Sequence, residues 1–202
     1  MSPTKTYDRA YFDRWYRGRG APAGSNAALR RNVALAVAAA ESVLDRPLRS
    51  VLDVGCGEGR WQPELRRLRP RASYLGIDSS EYAVKRFGAR RTLRLGAFEE
   101  LHLHVFDRPF DLVVCSDVLH YLTDEQILRG LDPLADLVGG VALLETFTSE
   151  DEIEGDEADF HRRPALWYRR AFAGAGLVPI GLQMYVHEEI AEDLDALDRP
   201  GS

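Results

Sequence analysis

The chain has 202 residues, enough for one α/β domain with a substantial core. Its 45% apolar and 29% charged content is that of an ordinary globular protein, and its formal net charge of −6 argues against a nucleic-acid substrate, for which a basic surface is expected. No apolar run is long enough to span a bilayer and no secretory leader is read at the start, so no membrane partner and a cytoplasmic location are expected. The two cysteines, Cys56 and Cys115, give neither a disulfide framework nor a zinc spacing, so reduced thiols and no metal are expected.

Tyr7, Tyr11 and Trp15 recur at helical spacing, with Phe12 and Tyr16 alongside and arginines interleaved, until Gly18-Arg19-Gly20-Ala21-Pro22 breaks the pattern. The aromatic face either packs on the domain or contacts RNA; the negative net charge favours packing. Asn26 to Leu44 carries one apolar stripe with an alanine-rich centre and reads as a scaffold helix. Val51 to Val54 is then an apolar run interrupted by one acid, followed by glycines at 55, 57 and 59. That is a buried strand, a tight turn and a helix start, with unpaired amides aimed at whatever binds there. The helix continues over Arg60 to Leu68.

A second strand, Ser73 to Ile77, ends at Asp78, and Asp78-Ser79-Ser80-Glu81 reads as a capping box for a short helix to Phe87. Thr92 to Leu95 is the third strand. His102-Leu103-His104 has no third ligand nearby and reads as a solvated turn. Phe110 to Cys115 is the fourth strand and leads into Ser116-Asp117-Val118-Leu119-His120-Tyr121-Leu122. Thr123 and Gln126 make a capping box for a helix to about Val138, interrupted near Pro133 and closed by Gly139-Gly140. Val141 to Phe147 is the fifth strand, with Glu145 near its carboxyl end. Ser149 to Asp159 holds seven acidic residues and no basic one, so it is a solvated loop or a lid that attracts a cationic substrate. Arg162 to Ala173 is a helix, Val178 to Val186 one long alternating strand, and Glu188 to Ser202 an acidic tail with a possible short surface helix.

Strands alternate with helices throughout, which predicts an α/β fold with a doubly wound, mostly parallel sheet in a single domain. Six strands are readable and a seventh is in doubt. The stretch Leu52-Asp53-Val54-Gly55-Cys56-Gly57-Glu58-Gly59 resembles the first motif of class I S-adenosylmethionine (SAM) dependent methyltransferases, hydrophobic-Asp-hydrophobic-Gly-x-Gly-x-Gly. A dinucleotide fingerprint would need its last glycine at position 60, where Arg60 stands, which disfavours a nicotinamide reductase. The stretch from Ser116 to Leu122 resembles the segment that carries that family's fourth motif.

The resemblance implies a Rossmann-like methyltransferase fold over 25–202, with 1–24 as an N-terminal helical lid. It implies SAM as cofactor, held by Asp53, Gly55, Cys56, Gly57 and Gly59. Asp78 and Ser79 would take the ribose, and Ala97, Phe98 and Glu99 the adenine. Ser116, Asp117 and Val118 would pass the methionine end. His120 and Tyr121 would face the substrate mouth, where an imidazole suits a base at neutral pH; the alternative for His120 is a partly buried histidine hydrogen-bonded to backbone. Tyr11, Trp15, Tyr16, Glu145 and His161 are the candidate contacts to a small-molecule methyl acceptor, at oxygen or nitrogen. The alternative from another class is a SAM-binding regulator or partner subunit without catalysis.

Overall fold

The computed structural model describes residues 7–17, 26–152 and 159–195. The chain opens with α1, Arg9–Phe12, capped by the Asp8 carboxylate accepting from the Tyr11 amide, and continues as a wider turn over Asp13–Arg17. Then follow α2 (Asn26–Leu44), β1 (Ser50–Val54), α3 (Trp61–Leu68), β2 (Ser73–Asp78), α4 (Glu81–Arg91) and β3 (Leu93–Leu95). The second half runs β4 (Phe110–Ser116), α5 (Asp124–Ala135), β5 (Val138–Glu145), α6 (Ala165–Gly174), β6 (Leu177–Gly181), β7 (Met184–His187) and α7 (Glu188–Ala191).

The strands form one sheet in the order β3-β2-β1-β4-β5-β7-β6. β1 to β5 pair in parallel, and β7 lies antiparallel to both β5 and β6. Side chains alternate faces along each strand. Leu52, Val54, Val113, Cys115 and Leu144 therefore face α5 and α6, while Val51, Leu112, Val114 and Leu143 face α2 and α3. Both faces are covered, which is why the inner strands read as almost unbroken apolar runs. Chain order runs outward from β1 to β3 on one side and from β4 onward on the other. The carboxyl ends of β1 and β4 thus frame the crevice in which open α/β sheets take ligands.

Three elements differ from the sequence expectation. Gly139 and Gly140 lie inside β5 and do not end a helix. A Cβ on Gly140 would lie 2.3 Å from the Asp111 carbonyl oxygen, so the residue is bare because β4 approaches it closely. The expected long strand is a hairpin, and β7 is the seventh strand. Its turn places Leu182 and Gln183 at φ of 52° and 58°, the geometry of a type I′ turn without the usual asparagine or glycine. Gln183 is held from β5 instead: its carbonyl accepts from the Leu144 amide at 3.0 Å and its side-chain oxygen from the Thr146 amide at 2.8 Å. Lastly, α4 runs on to Arg91, where Thr92 closes it in a left-handed conformation. Leu197 of the tail lies outside the described residues. Among the described residues no helix is long and apolar enough to cross a membrane.

Candidate functional site

A cavity of about 480 Å³ opens at the carboxyl ends of β1, β2, β3 and β4. That is within the usual range of small-molecule sites. Gly55 and Gly57 line it, both with positive φ, at 72° and 54°. A Cβ on Gly55 would lie 2.2 Å from a methyl of Val118, so glycine lets the two loops meet. The Gly57 amide donates to Asp78 Oδ2 at 2.6 Å, and the Ser80 amide donates to Oδ1 at 2.8 Å. Asp78 therefore ties the glycine turn to the end of β2 and still presents carboxylate lone pairs to the cavity. Burial holds its carboxyl above the ordinary range, against the pull of the two amides. The cap of α4 is Ser80, whose hydroxyl accepts from the Ala83 amide at 3.1 Å; Asp78 does not fill that role.

The next wall is the turn after β3. Ala97, Phe98 and Glu99 all line the cavity, with Phe98 otherwise buried. Glu99 Oε1 accepts from Gln126 Nε2 at 2.6 Å, whereas Glu99 Oε2 is buried with no hydrogen-bond partner. A buried acceptor left unmade costs about 1–3 kcal/mol, a cost this oxygen carries here. Gln126 itself was legible only as half of a capping box; in the structure it also braces Glu99.

The third wall follows β4. Asp117 and Val118 line the cavity, as do Tyr121 and Leu122. Asp117 sits at φ 61°, a left-handed conformation that aspartate tolerates better than most residues. Arg163 fixes this turn. It is 5% exposed, pairs with Asp124 Oδ1 at 2.6 Å, and donates to the carbonyls of Leu119 and Leu122 at 3.4 and 2.5 Å. Nothing in the sequence around it marks Arg163 as a bracket. Asp159 and His161, together with Tyr7, Tyr11 and Phe12, complete the lining. Tyr7 holds the N-terminal segment down through its carbonyl, which accepts from the Ser80 hydroxyl at 2.5 Å. Phe12 stacks on Tyr82 and would lie 3.3 Å from a Cβ on Gly57.

Several expected site residues stand behind the cavity wall. Asp53 is 2% exposed on β1 and accepts the Tyr74 hydroxyl at 2.6 Å. Burial raises its carboxyl to about 7, opposed by that hydrogen bond and aided by the nearby charge of Asp78. Cys56 packs under the turn where Gly76 leaves room for its sulfur, and burial pushes its thiol up. Gly59 is required by φ 69° and by Leu93, 2.9 Å from a notional Cβ. Ser116 donates to Glu145 Oε2, and Asn32 donates to Glu145 Oε1 at 3.3 Å. That pair thus ties α2 to the sheet, away from this cavity. Trp15 lies under the Arg14 guanidinium and does not line the cavity; the side chain of Tyr16 lies outside the described residues.

Of the two places expected for His120, the structure shows the buried one. It is 1% exposed and lies behind Asp117, with Nε2 3.1 Å from Asp117 Oδ1 and Nδ1 3.2 Å from Thr146 Oγ1. Tyr121, Phe160 and Phe147 enclose the ring at centroid distances of 4.2, 4.9 and 5.4 Å. Leu119 initiates the 3₁₀ turn that pulls His120 inward, and the His161 amide then donates to the His120 carbonyl at 2.8 Å. Asp117 is the titratable group of this pair that meets the cavity.

Residues 52–139 match the family described as "Methyltransferase domain". The chain is 34% identical over 80 residues to a trans-aconitate 2-methyltransferase of Deinococcus radiodurans, covering 40% of this chain and 31% of that protein. It is 36% identical over 77 residues to a malonyl-[acyl-carrier protein] O-methyltransferase of Legionella pneumophila, covering 36% and 27%. The aligned part thus spans about a third or less of these curated relatives. Among solved structures, a magnesium protoporphyrin IX methyltransferase of Synechocystis PCC 6803 with bound S-adenosylhomocysteine superposes with a TM-score of 0.63 at 19% identity, over 90% of this chain and 96% of that one. A SAM-dependent methyltransferase of Archaeoglobus fulgidus gives 0.62 at 15% identity, over 84% and 73%. These similarities show the fold.

Proposed function

We propose that the chain, whose residues 52–139 match a methyltransferase domain, is of the class I, SAM-dependent kind and transfers a methyl group from SAM to an oxygen or nitrogen of a small molecule. The observation that carries this reading is the cavity itself. Two positive-φ glycines, the Asp78 carboxylate and Glu99 line it at the switch point of the sheet. Asp78 is placed to accept hydrogen bonds from ribose hydroxyls. In this reading Glu99 accepts from an exocyclic amine, with Phe98 and Ala97 beside the ring. Asp117 and Val118 border the methionine end.

When bound, SAM supplies a methyl carbon already activated by the sulfonium. What remains for the protein is to align acceptor, carbon and sulfur at near contact and to exclude water. Tyr7, Tyr11 and Phe12 supply the cover, and Tyr121 and His161 border the acceptor side. The lid role of the N-terminal segment, a small-molecule rather than nucleic-acid acceptor and a cytoplasmic location belong to the same proposal. The test is calorimetric titration with SAM, S-adenosylhomocysteine and NAD, followed by transfer of labelled methyl to a panel of small amines, phenols and carboxylic acids. Tight binding of SAM with transfer to at least one panel member is expected. Binding of SAM with no transfer to any of them points to the non-catalytic alternative, and preference for NAD overturns the reading.

A further inference from the structure

We infer that the acceptor is an amine, received by the Asp117 carboxylate, and that His120 is the positioning residue that holds that carboxylate. This deepens the methyl-transfer reading and rests on it. Asp117 is the residue at the end of β4 that turns left-handed, at φ 61°, with its amide donated to the Glu145 carbonyl at 2.9 Å. Its side chain is 48% exposed and borders the cavity, while its Oδ1 is tied back to His120 Nε2 at 3.1 Å. A neutral imidazole protonated at Nε2 donates to Asp117 and accepts the Thr146 hydroxyl at Nδ1, 3.2 Å away. The Thr146 amide is in turn fixed by Gln183 from the β6–β7 turn. One carboxylate oxygen is thereby anchored from the core, and the other is left for a ligand.

The rest of the lining agrees in charge. Asp78, Glu99, Asp117 and Asp159 border the cavity, and among its described lining residues there is no lysine or arginine. Among the described lining residues a carboxylate acceptor would meet like charge, with His161 alone able to become cationic; an amine meets a placed carboxylate and the aromatic rings of Tyr11 and Tyr121. In the reaction the bound ammonium first passes one proton by way of the half-exposed Asp117 to solvent; the neutral amine nitrogen then attacks the methyl carbon, a C–N bond forms, the C–S bond breaks and sulfur keeps the electron pair. Positive charge moves from sulfur to nitrogen, and Asp117 stabilises it as it arrives. The proton remaining on the methylated nitrogen is shared with Asp117 and leaves with the product.

The test uses the full chain saturated with S-adenosylhomocysteine and a matched pair of probes, phenethylamine and 3-phenylpropanoate. The amine is expected to bind about tenfold or more tightly than the acid, as for one desolvated charge pair. Asp117→Asn should bring that ratio close to one. His120→Gln, which still donates toward Asp117, should keep much of the preference, and His120→Phe should lose it. No binding of the amine, equal binding of both probes, or a preference unchanged in folded Asp117→Asn overturns the inference. An unchanged preference would leave Asp117 serving the cofactor alone. Failure of S-adenosylhomocysteine to bind would instead overturn the methyl-transfer reading beneath it.

Discussion

Asp78 and Ser80 stand two residues apart and do separable work. Asp78 joins the glycine turn to β2 and borders the cavity, whereas Ser80 caps α4. Asp78→Ala should weaken SAM binding roughly 10- to 150-fold, from the loss of about 1.5–3 kcal/mol of hydrogen bonding to a charged group. Ser80→Ala should cost about 1 kcal/mol of stability through the lost cap, with a much smaller effect on SAM. Calorimetry and urea denaturation on both variants read the difference; equal losses of affinity would show that Asp78 acts only through the loop. Asp53 makes a different prediction. Its folded carboxyl titrates at about 7, while an unperturbed aspartate does so near 3.9. Between those values the folded chain holds a proton that the unfolded chain has released, so stability falls as pH rises through that window and levels off above it. Each pKa unit of difference is about 1.4 kcal/mol. Asp53→Asn, which still accepts the Tyr74 hydroxyl, should be less pH-dependent than the parent between pH 4 and 8 and relatively more stable at pH 8. Parallel pH profiles for the two proteins would contradict the assignment.

At the scale of elements, the strand–turn–helix from Ser50 to Leu68 was legible because an apolar run followed by alternate glycines has few other solutions. The β6–β7 hairpin was not, because Leu182-Gln183 carries none of the turn residues that mark such a reversal. Its geometry is imposed by bonds from β5, which lie far away in sequence. Leu182 is 70% exposed and adopts φ 52°, so Leu182→Asn should relieve backbone strain and raise stability by about 0.5–1 kcal/mol. A lower melting temperature would show that Leu182 makes contacts that outweigh the strain. For the site, Ala97 to Glu99 and Asp117 to Val118, expected there from the family resemblance, line the cavity. The choice between a buried His120 and one at the substrate mouth was not legible, because whether a 3₁₀ turn points a side chain inward depends on the partners it meets, here Asp117, Thr146 and three rings. Arg163 escaped for the same reason: its partners Asp124, Leu119 and Leu122 lie about forty residues away.

Across the whole molecule, one crevice is lined by two parts of the chain that lie far apart in sequence. The N-terminal segment rests on Ser80 and Gly57 through Tyr7 and Phe12, and Asp159 with His161 approaches from beyond β5. The central claim is that this crevice holds SAM against the glycine turn. The most direct measurement is calorimetric titration of the parent and of Gly57→Val with SAM and with NAD. At position 57 a side chain would strain a φ of 54°, press on Phe12 and fill the space offered to the cofactor. The account predicts one SAM per chain for the parent, no comparable binding of NAD, and loss of SAM binding in a Gly57→Val protein that remains folded by circular dichroism. Normal SAM binding by folded Gly57→Val, or a parent that prefers NAD, would contradict it.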